Sequence, residues 1–257
     1  MKRAALTLLT FVAVAGCTDG EMETLTGPEP SLSRNESVEA SAFALSRTFD
    51  VTVENLTETG QHFTPPLVAI HRGSLGFFTP GRAASAGIQQ IAENGNLGPM
   101  IARLEGSRHL SSFAVAVSGA GLEGPLAPGE AVTVTLSADP GSQFVSFASM
   151  LICTNDGFAG VSGAKLPNQV GDEIDLYVAA YDAGTEVNTQ DFGDLVPPCP
   201  VLSGVPSSEP GTGASDPALV EGGVIRIHEG IMETGDLTPA AHGWAGPVAK
   251  LTVKRTG

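Results

Sequence analysis

The stretch "TFDVTVENL", residues 48–56, decides the fold class. Phe49, Val51 and Val53 fall on one side of an extended chain, and Asp50, Thr52 and Glu54 on the other. That period of two is the mark of a strand with one buried and one wetted face. Seven further runs share its character, being alternating or rich in β-branched residues and bounded by turn residues: "PLVAIHRG", "SSFAVAVSG", "EAVTVTLSA", "QFVSFASMLI", "EIDLYVAAY", "GVIRIHEG" and "VAKLTVKR". Eight such runs at irregular spacing predict an all-β chain, an antiparallel eight-stranded sandwich with Greek-key-like connections. The 32 glycines and 18 prolines argue in the same direction, because both residue types are poor helix formers.

One segment interrupts this pattern. In "GRAASAGIQQIAENGNL", residues 81–97, Ala84, Ile88, Ile91 and Ala92 recur at helical spacing, and Asn94-Gly95 supplies a C-terminal stop. A single short inserted helix is expected there. Residues 184–223 form the longest stretch without periodicity, and a loop of that length is functional or partly disordered in most domains.

The N-terminus reads as a targeting segment. "MKRAALTLLTFVAVAGC", residues 1–17, has basic Lys2 and Arg3, then an apolar run too short to span a membrane. Val14-Ala15-Gly16-Cys17 resembles the lipobox of bacterial lipoproteins, where the cysteine is acylated and becomes the new N-terminus. The alternative is an ordinary cleaved signal with a cysteine near its end. The placement of Cys17 where the apolar run stops and a polar tether begins favours the lipobox, which divides the chain into a leader (1–17), a disordered tether (18–46) and one folded domain (47–257). Cys153 and Cys199 then remain, and an even pair in an exported chain reads as one disulfide. No CxxC or Cys/His cluster supports a thiolate metal site instead.

With 28 acidic against 13 basic residues the net charge is −15, becoming −17 once Lys2 and Arg3 leave with the leader. Such a chain is repelled by phosphate backbones, which excludes nucleic acid as an expected partner. Gly119 to Gly124 satisfies GxGxxG, but "PLAPGE" follows and cannot open a helix, so the segment is a turn and no dinucleotide site. No GxSxG, HExxH or P-loop occurs, and the five histidines are scattered, His71 beside Arg72 included; each reads as structural or superficial. The strongest constellation is a pair of strand exits, "TNDG" at 154–157 and "YDAGTE" at 181–186. If these meet, Asp156, Asp182 and Glu186 gather hard oxygen donors with no Lys or Arg in either motif, a repulsion that calcium relieves. Alternatively each aspartate caps its own turn through an Asx hydrogen bond.

"FTPPLVAIHRGSLGFFTPGRAASAGIQQIAENGNL" (63–97), "SFASMLICTNDGFAGV" (146–161) and "AAYDAGTEVN" (179–188), in that order, resemble the spondin domain, known from F-spondin and mindin and from bacterial secreted proteins. The likeness runs from about Arg47 to Lys254. It implies an eight-stranded antiparallel sandwich with a calcium ion near one end, held by Asp156, Asp182 and a strand carbonyl near Val178; Glu186 matches an acidic position after the turn. Animal members carry an aromatic directly after the first aspartate, whereas Gly157 and then Phe158 follow Asp156. The functional expectation is a non-enzymatic, calcium-dependent recognition or adhesion module, lipid-anchored at the cell envelope and facing an unidentified extracellular or envelope ligand. Thr18, in place of an aspartate, follows Cys17, a resemblance that in Gram-negative lipoproteins points to the outer membrane. The competing classes are an envelope-polymer hydrolase using the acidic cluster, disfavoured by one Trp and two Tyr, and a purely structural envelope lipoprotein.

Overall fold

The computed structural model describes residues 46–117 and 124–257. The leader, Cys17, nearly all of the tether and residues 119–123 of the glycine-rich turn lie outside the described residues. Two antiparallel sheets face each other. The first has the order β4-β1-β10-β7, built from β1 (Arg47–Asn55), β4 (Ala131–Ala138), β7 (Glu173–Val178) and β10 (Ala249–Arg255). The second has the order β3-β2-β5-β6-β8-β9, built from β2 (Leu67–His71), β3 (Leu110–Val115), β5 (Phe144–Met150), β6 (Gly157–Lys165), β8 (Ala180–Asp182) and β9 (Arg226–Ile227).

The all-β sandwich is as expected, but it has ten strands rather than eight. Two features account for the difference. The run "EIDLYVAAY" is broken at Ala179: Val178 pairs with Ala249 in the first sheet, whereas Ala180 pairs with Ala159 in the second, so one apolar run serves both sheets. β6 is absent from the sequence reading because "GFAGVSGAK" carries three glycines and little β-branched character.

β1 behaves as its alternation requires. Phe49, Val51 and Val53 are fully buried, and on the other face Thr52 pairs with Thr133 across the β1–β4 ladder, their hydroxyls 2.7 Å apart. The inner faces of both sheets share one core, with Val68, Ile70, Val145 and Phe147 opposite the β1 and β10 side chains. The outer face of the six-stranded sheet is buried as well, because helices cover it. α1 (Ala86–Asn94) and α2 (Gly98–Glu105) press Ile88, Ile91, Met100 and Leu104 onto Leu67, Ala69, Ala148 and Phe158. This explains why "LVAI" in β2 is apolar at consecutive positions: both its faces are inside.

α1 begins and ends as the sequence indicates. Ser85 accepts the Ile88 N–H through its hydroxyl, and Gly95, at φ 64°, donates back to Gln90 and Ile91 carbonyls in a left-handed stop. The expectation of one helix is corrected, since α2 follows after three residues. Its eight residues bury only Met100 and Leu104, and its Gly-Pro start reads as a breaker although proline suits the first helical turn. Two single-turn helices, α3 (Cys199–Ser203) and α4 (Pro239–His242), lie in the long connections.

The Cys153–Cys199 disulfide is formed, with a Cα separation of 5.1 Å. It ties the β5–β6 connection to α3 and centres a third apolar cluster that includes Met150, Phe192, Leu195, Ile231 and Leu237. The long aperiodic loop is thereby ordered around its own small core.

Candidate metal centre

The β5–β6 connection and the segment after β8 are laced together residue by residue. Thr154 closes its own turn: its hydroxyl donates to the Leu151 carbonyl and accepts the Gly157 N–H. Asn155 reaches across, donating to the Thr189 hydroxyl at 3.1 Å and accepting the Gln190 N–H at 3.2 Å. Asp156 crosses too. Its Oδ2 accepts from the Thr185 N–H at 2.7 Å, the Glu186 N–H at 3.0 Å and the Thr185 hydroxyl at 3.1 Å. The two strand exits therefore meet at one place, as the ion-holding reading requires.

The two aspartates differ. Asp182 caps its own turn in the Asx manner, Oδ1 accepting the Gly184 N–H at 2.7 Å, while Oδ2 accepts from the Asn188 amide at 2.8 Å. Gly184 permits that turn: it sits at φ 68°, and a β-carbon there would lie 2.6 Å from the Val224 nitrogen. Asp156 does not cap its own turn, and its Oδ1 is buried without a hydrogen-bond partner among the described residues. Burial, with the Asp182 charge next in weight, pushes the Asp156 carboxyl up to about 6.

Glu186 sits to one side of this pair. Its carboxylate accepts the Asp216 N–H at 3.1 Å, and burial pushes it up to about 7, with Glu93, Asp156 and Asp216 adding repulsion. Val178 stands in β7 of the other sheet, and its carbonyl accepts the Val248 N–H at 2.8 Å. The structure thus brings Asp156 and Asp182 together, leaves Glu186 adjacent and holds the Val178 carbonyl in the inter-strand ladder. Among the described residues, the three acidic, His or Cys side chains whose ligand atoms all lie within 4.8 Å of one another are Cys153, Cys199 and His242. Both sulfurs there are committed to the disulfide.

Several contributors were not singled out in the sequence. Arg226 of β9 pairs with Asp182 at 3.0 Å and holds Glu221 through both guanidinium ends. It lies inside a run that reads as an ordinary strand; the signal was a lone cation within an apolar run. His228, two residues on, stacks edge-on against Trp244 and is lowered to about 4 by burial. Its Nδ1 accepts the Gly230 N–H, so the neutral ring carries its proton on the buried Nε2 and offers no lone pair there. His71 is structural, as expected, bonding Ser146 and the Arg72 carbonyl.

Among the described residues Asp156 Oδ1 is a buried, unpartnered oxygen near a second carboxylate, and one guanidinium, that of Arg226, pairs with the second. That donor set fits a hard cation such as calcium. The family model Spondin_N matches residues 52–191, more than half of the chain and both laced motifs. The chain belongs to the spondin domain family. No curated protein matches the chain. The match ends just after this centre, yet the spondin sandwich here draws β9 and β10 from beyond it. Spondin domains are extracellular modules of recognition or adhesion type and are non-enzymatic. Among the described residues no helix is long and apolar enough to cross a membrane.

Proposed function

We propose that this spondin domain is a calcium-stabilised recognition or adhesion module, exported and held at a bacterial cell envelope by a lipid on Cys17, with no chemical step of its own. The observation that carries the calcium reading is the buried, unpartnered Oδ1 of Asp156 beside Asp182. Asp156 and Asp182 would hold the ion, whose charge offsets their mutual repulsion. Asn155 and Asp156 fasten the β5–β6 connection to residues 185–190, so a cation held at Asp156 would also order that junction. A ligand that binds only the folded state at 100 times its Kd adds about 2.7 kcal/mol of stability.

The test is calcium titration of the full-length protein by calorimetry, with thermal melting in parallel. One calcium per chain and a raised Tm are expected, with both effects absent in Asp156→Ala and in Asp182→Ala. A wild-type protein indifferent to calcium would reduce the centre to a hydrogen-bonded loop junction. The anchor is tested separately: Cys17→Ser is expected to move the protein from the membrane fraction to the soluble one.

A further inference from the structure

We infer that the face formed by the 73–85 loop and the open β6–β7 side of the sandwich binds an acidic polysaccharide. The inference rests on the recognition reading above and gives it a surface and a ligand class. At the β3–β4 side the two sheets are bridged, since the Ser111 and Ser112 hydroxyls both donate to the Ser137 carbonyl and Ser111 accepts the Asp139 N–H. On the β6–β7 side the chain itself crosses between the sheets at Ala179, and the described residues show no side-chain hydrogen bond that closes the gap between β6 and β7. Two adjoining grooves lie there instead, of about 550 and 470 Å³, sharing Phe78, Thr79 and Ser162.

The first groove is cationic in a protein of net charge −15. Arg82 and Arg103 line it, and no Asp or Glu among the described residues does. Neither arginine belongs to an ion pair there: the described pairs are Arg226 with Asp182 and Glu221, and Lys250 with Asp175. Arg103 is fixed in place by donating to the Gly76 carbonyl at 2.8 Å and to the Met100 sulfur at 3.4 Å, neither of them an anion, and the Arg82 side chain makes no hydrogen bond among the described residues. Two unpaired guanidiniums on one concave face match carboxylate or sulfate groups.

The second groove is aromatic. The chain has two tyrosines, and both line it. Tyr177 is 68% exposed, so its ring is open to a ligand in the groove. Tyr181 is backed by Phe78 and Phe158, with ring centroids 5.0 and 5.5 Å away. A charged groove running into an aromatic one, edged by Thr79 and Ser162 hydroxyls, suits a chain of sugar rings carrying acidic groups better than a flexible acidic peptide, which offers no rigid faces to stack. A backbone path joins this face to Asp182 without passing through the groove side chains. Ile225 exchanges backbone hydrogen bonds with Gly81 and Arg82, at 2.8 and 2.9 Å, and Ile225 adjoins Arg226, which pairs with Asp182.

The experiment measures binding of full-length protein to immobilised polygalacturonate, dextran sulfate, neutral dextran and poly-glutamate at 0.15 M NaCl. The first two arms separate carboxylate from sulfate as the recognised group. Expected are retention on at least one acidic polysaccharide, a loss of tenfold or more in Arg82→Ala/Arg103→Ala, and a smaller loss in Tyr177→Ala, with melting and calcium titration unchanged in all variants. Equal retention on dextran or poly-glutamate, or undiminished binding by the double arginine variant, overturns the groove and leaves a recognition module whose binding face lies elsewhere. Retention on none of the polymers overturns the groove and, if calcium still binds, leaves a calcium-stabilised envelope domain without recognition of these polymers.

Discussion

Asp156 is held by three donors on one oxygen and none on the other, an asymmetry that its neutral isostere resolves. In Asp156→Asn the side-chain oxygen keeps the Thr185 and Glu186 donors, and the charge that Asp182 repels is gone. The ion-free variant is therefore expected to be more stable than ion-free wild type by about 1–2 kcal/mol near pH 8, where a carboxyl raised to about 6 is ionised in the fold at a cost in stability. It should also lose its response to calcium. Thermal melts with a chelator and with calcium check both halves, and a chelated Asn variant less stable than wild type contradicts the charge argument. His71 acts in the opposite sense on acidification. Burial lowers its pKa from 6.5, so the unfolded chain takes a proton at higher pH than the folded one. Its contribution is fully present above pH 6.5 and lost as pH falls below it. Melting His71→Gln beside wild type at pH 7.5 and 5.5 is expected to show the gap between them narrowing at the lower pH. Both aspartates were visible in the sequence because each precedes or nearly precedes a glycine turn. Their different roles were not, because which turn Asp156 reaches depends on β6 and β8 pairing in register, Gly157 opposite Asp182.

At the scale of elements, what could be read depended on whether an element's chemistry was its own. β1, β4 and β10 have one dry and one wet face, and their alternation is visible in residues 48–56, 130–138 and 248–255. β6 is held by its neighbours: a β-carbon at Gly160 would lie 2.9 Å from the Phe147 carbonyl oxygen, so its sequence shows small residues where a strand signal would be. The 184–223 stretch shows no periodicity for a similar reason, its order coming from the Cys153–Cys199 bond and the cluster around it. That bond closes a loop of sequence separation 46 and is worth about 3–4 kcal/mol by chain entropy. Cys153→Ser/Cys199→Ser is expected to lower stability by that order, and to weaken calcium binding as well, because residues 185–190 meet Asn155 and Asp156 only two or three positions from Cys153. Limited proteolysis should cut first within residues 196–215. Cleavage in the β1–β10 sheet instead would show that the staple supports the whole sandwich rather than this loop.

The whole molecule carries a charge of −15, and that general repulsion must be separated from the local repulsion at Asp156 and Asp182. Any salt relieves the first. At 0.1 M ionic strength the screening length is about 10 Å, so exposed carboxylates spread over the surface cease to repel one another and the ion-free domain gains stability. The local pair is different, because Asp156 is fully buried and Asp182 is 1% exposed, and mobile ions cannot stand between them. A site-bound cation can. Sodium chloride and calcium are therefore expected to act additively: raising NaCl from 10 to 200 mM should lift the Tm of wild type and Asp156→Asn equally, while millimolar calcium in 200 mM NaCl should lift wild type alone. If calcium's effect vanishes at 200 mM NaCl, it was acting as one more screening ion on an acidic surface, and the centre between the two connections has no specific claim on it. If the effect survives, the same melts give a reference for the polysaccharide face: the double arginine variant, two charges more negative, should keep the calcium increment intact while its salt increment grows.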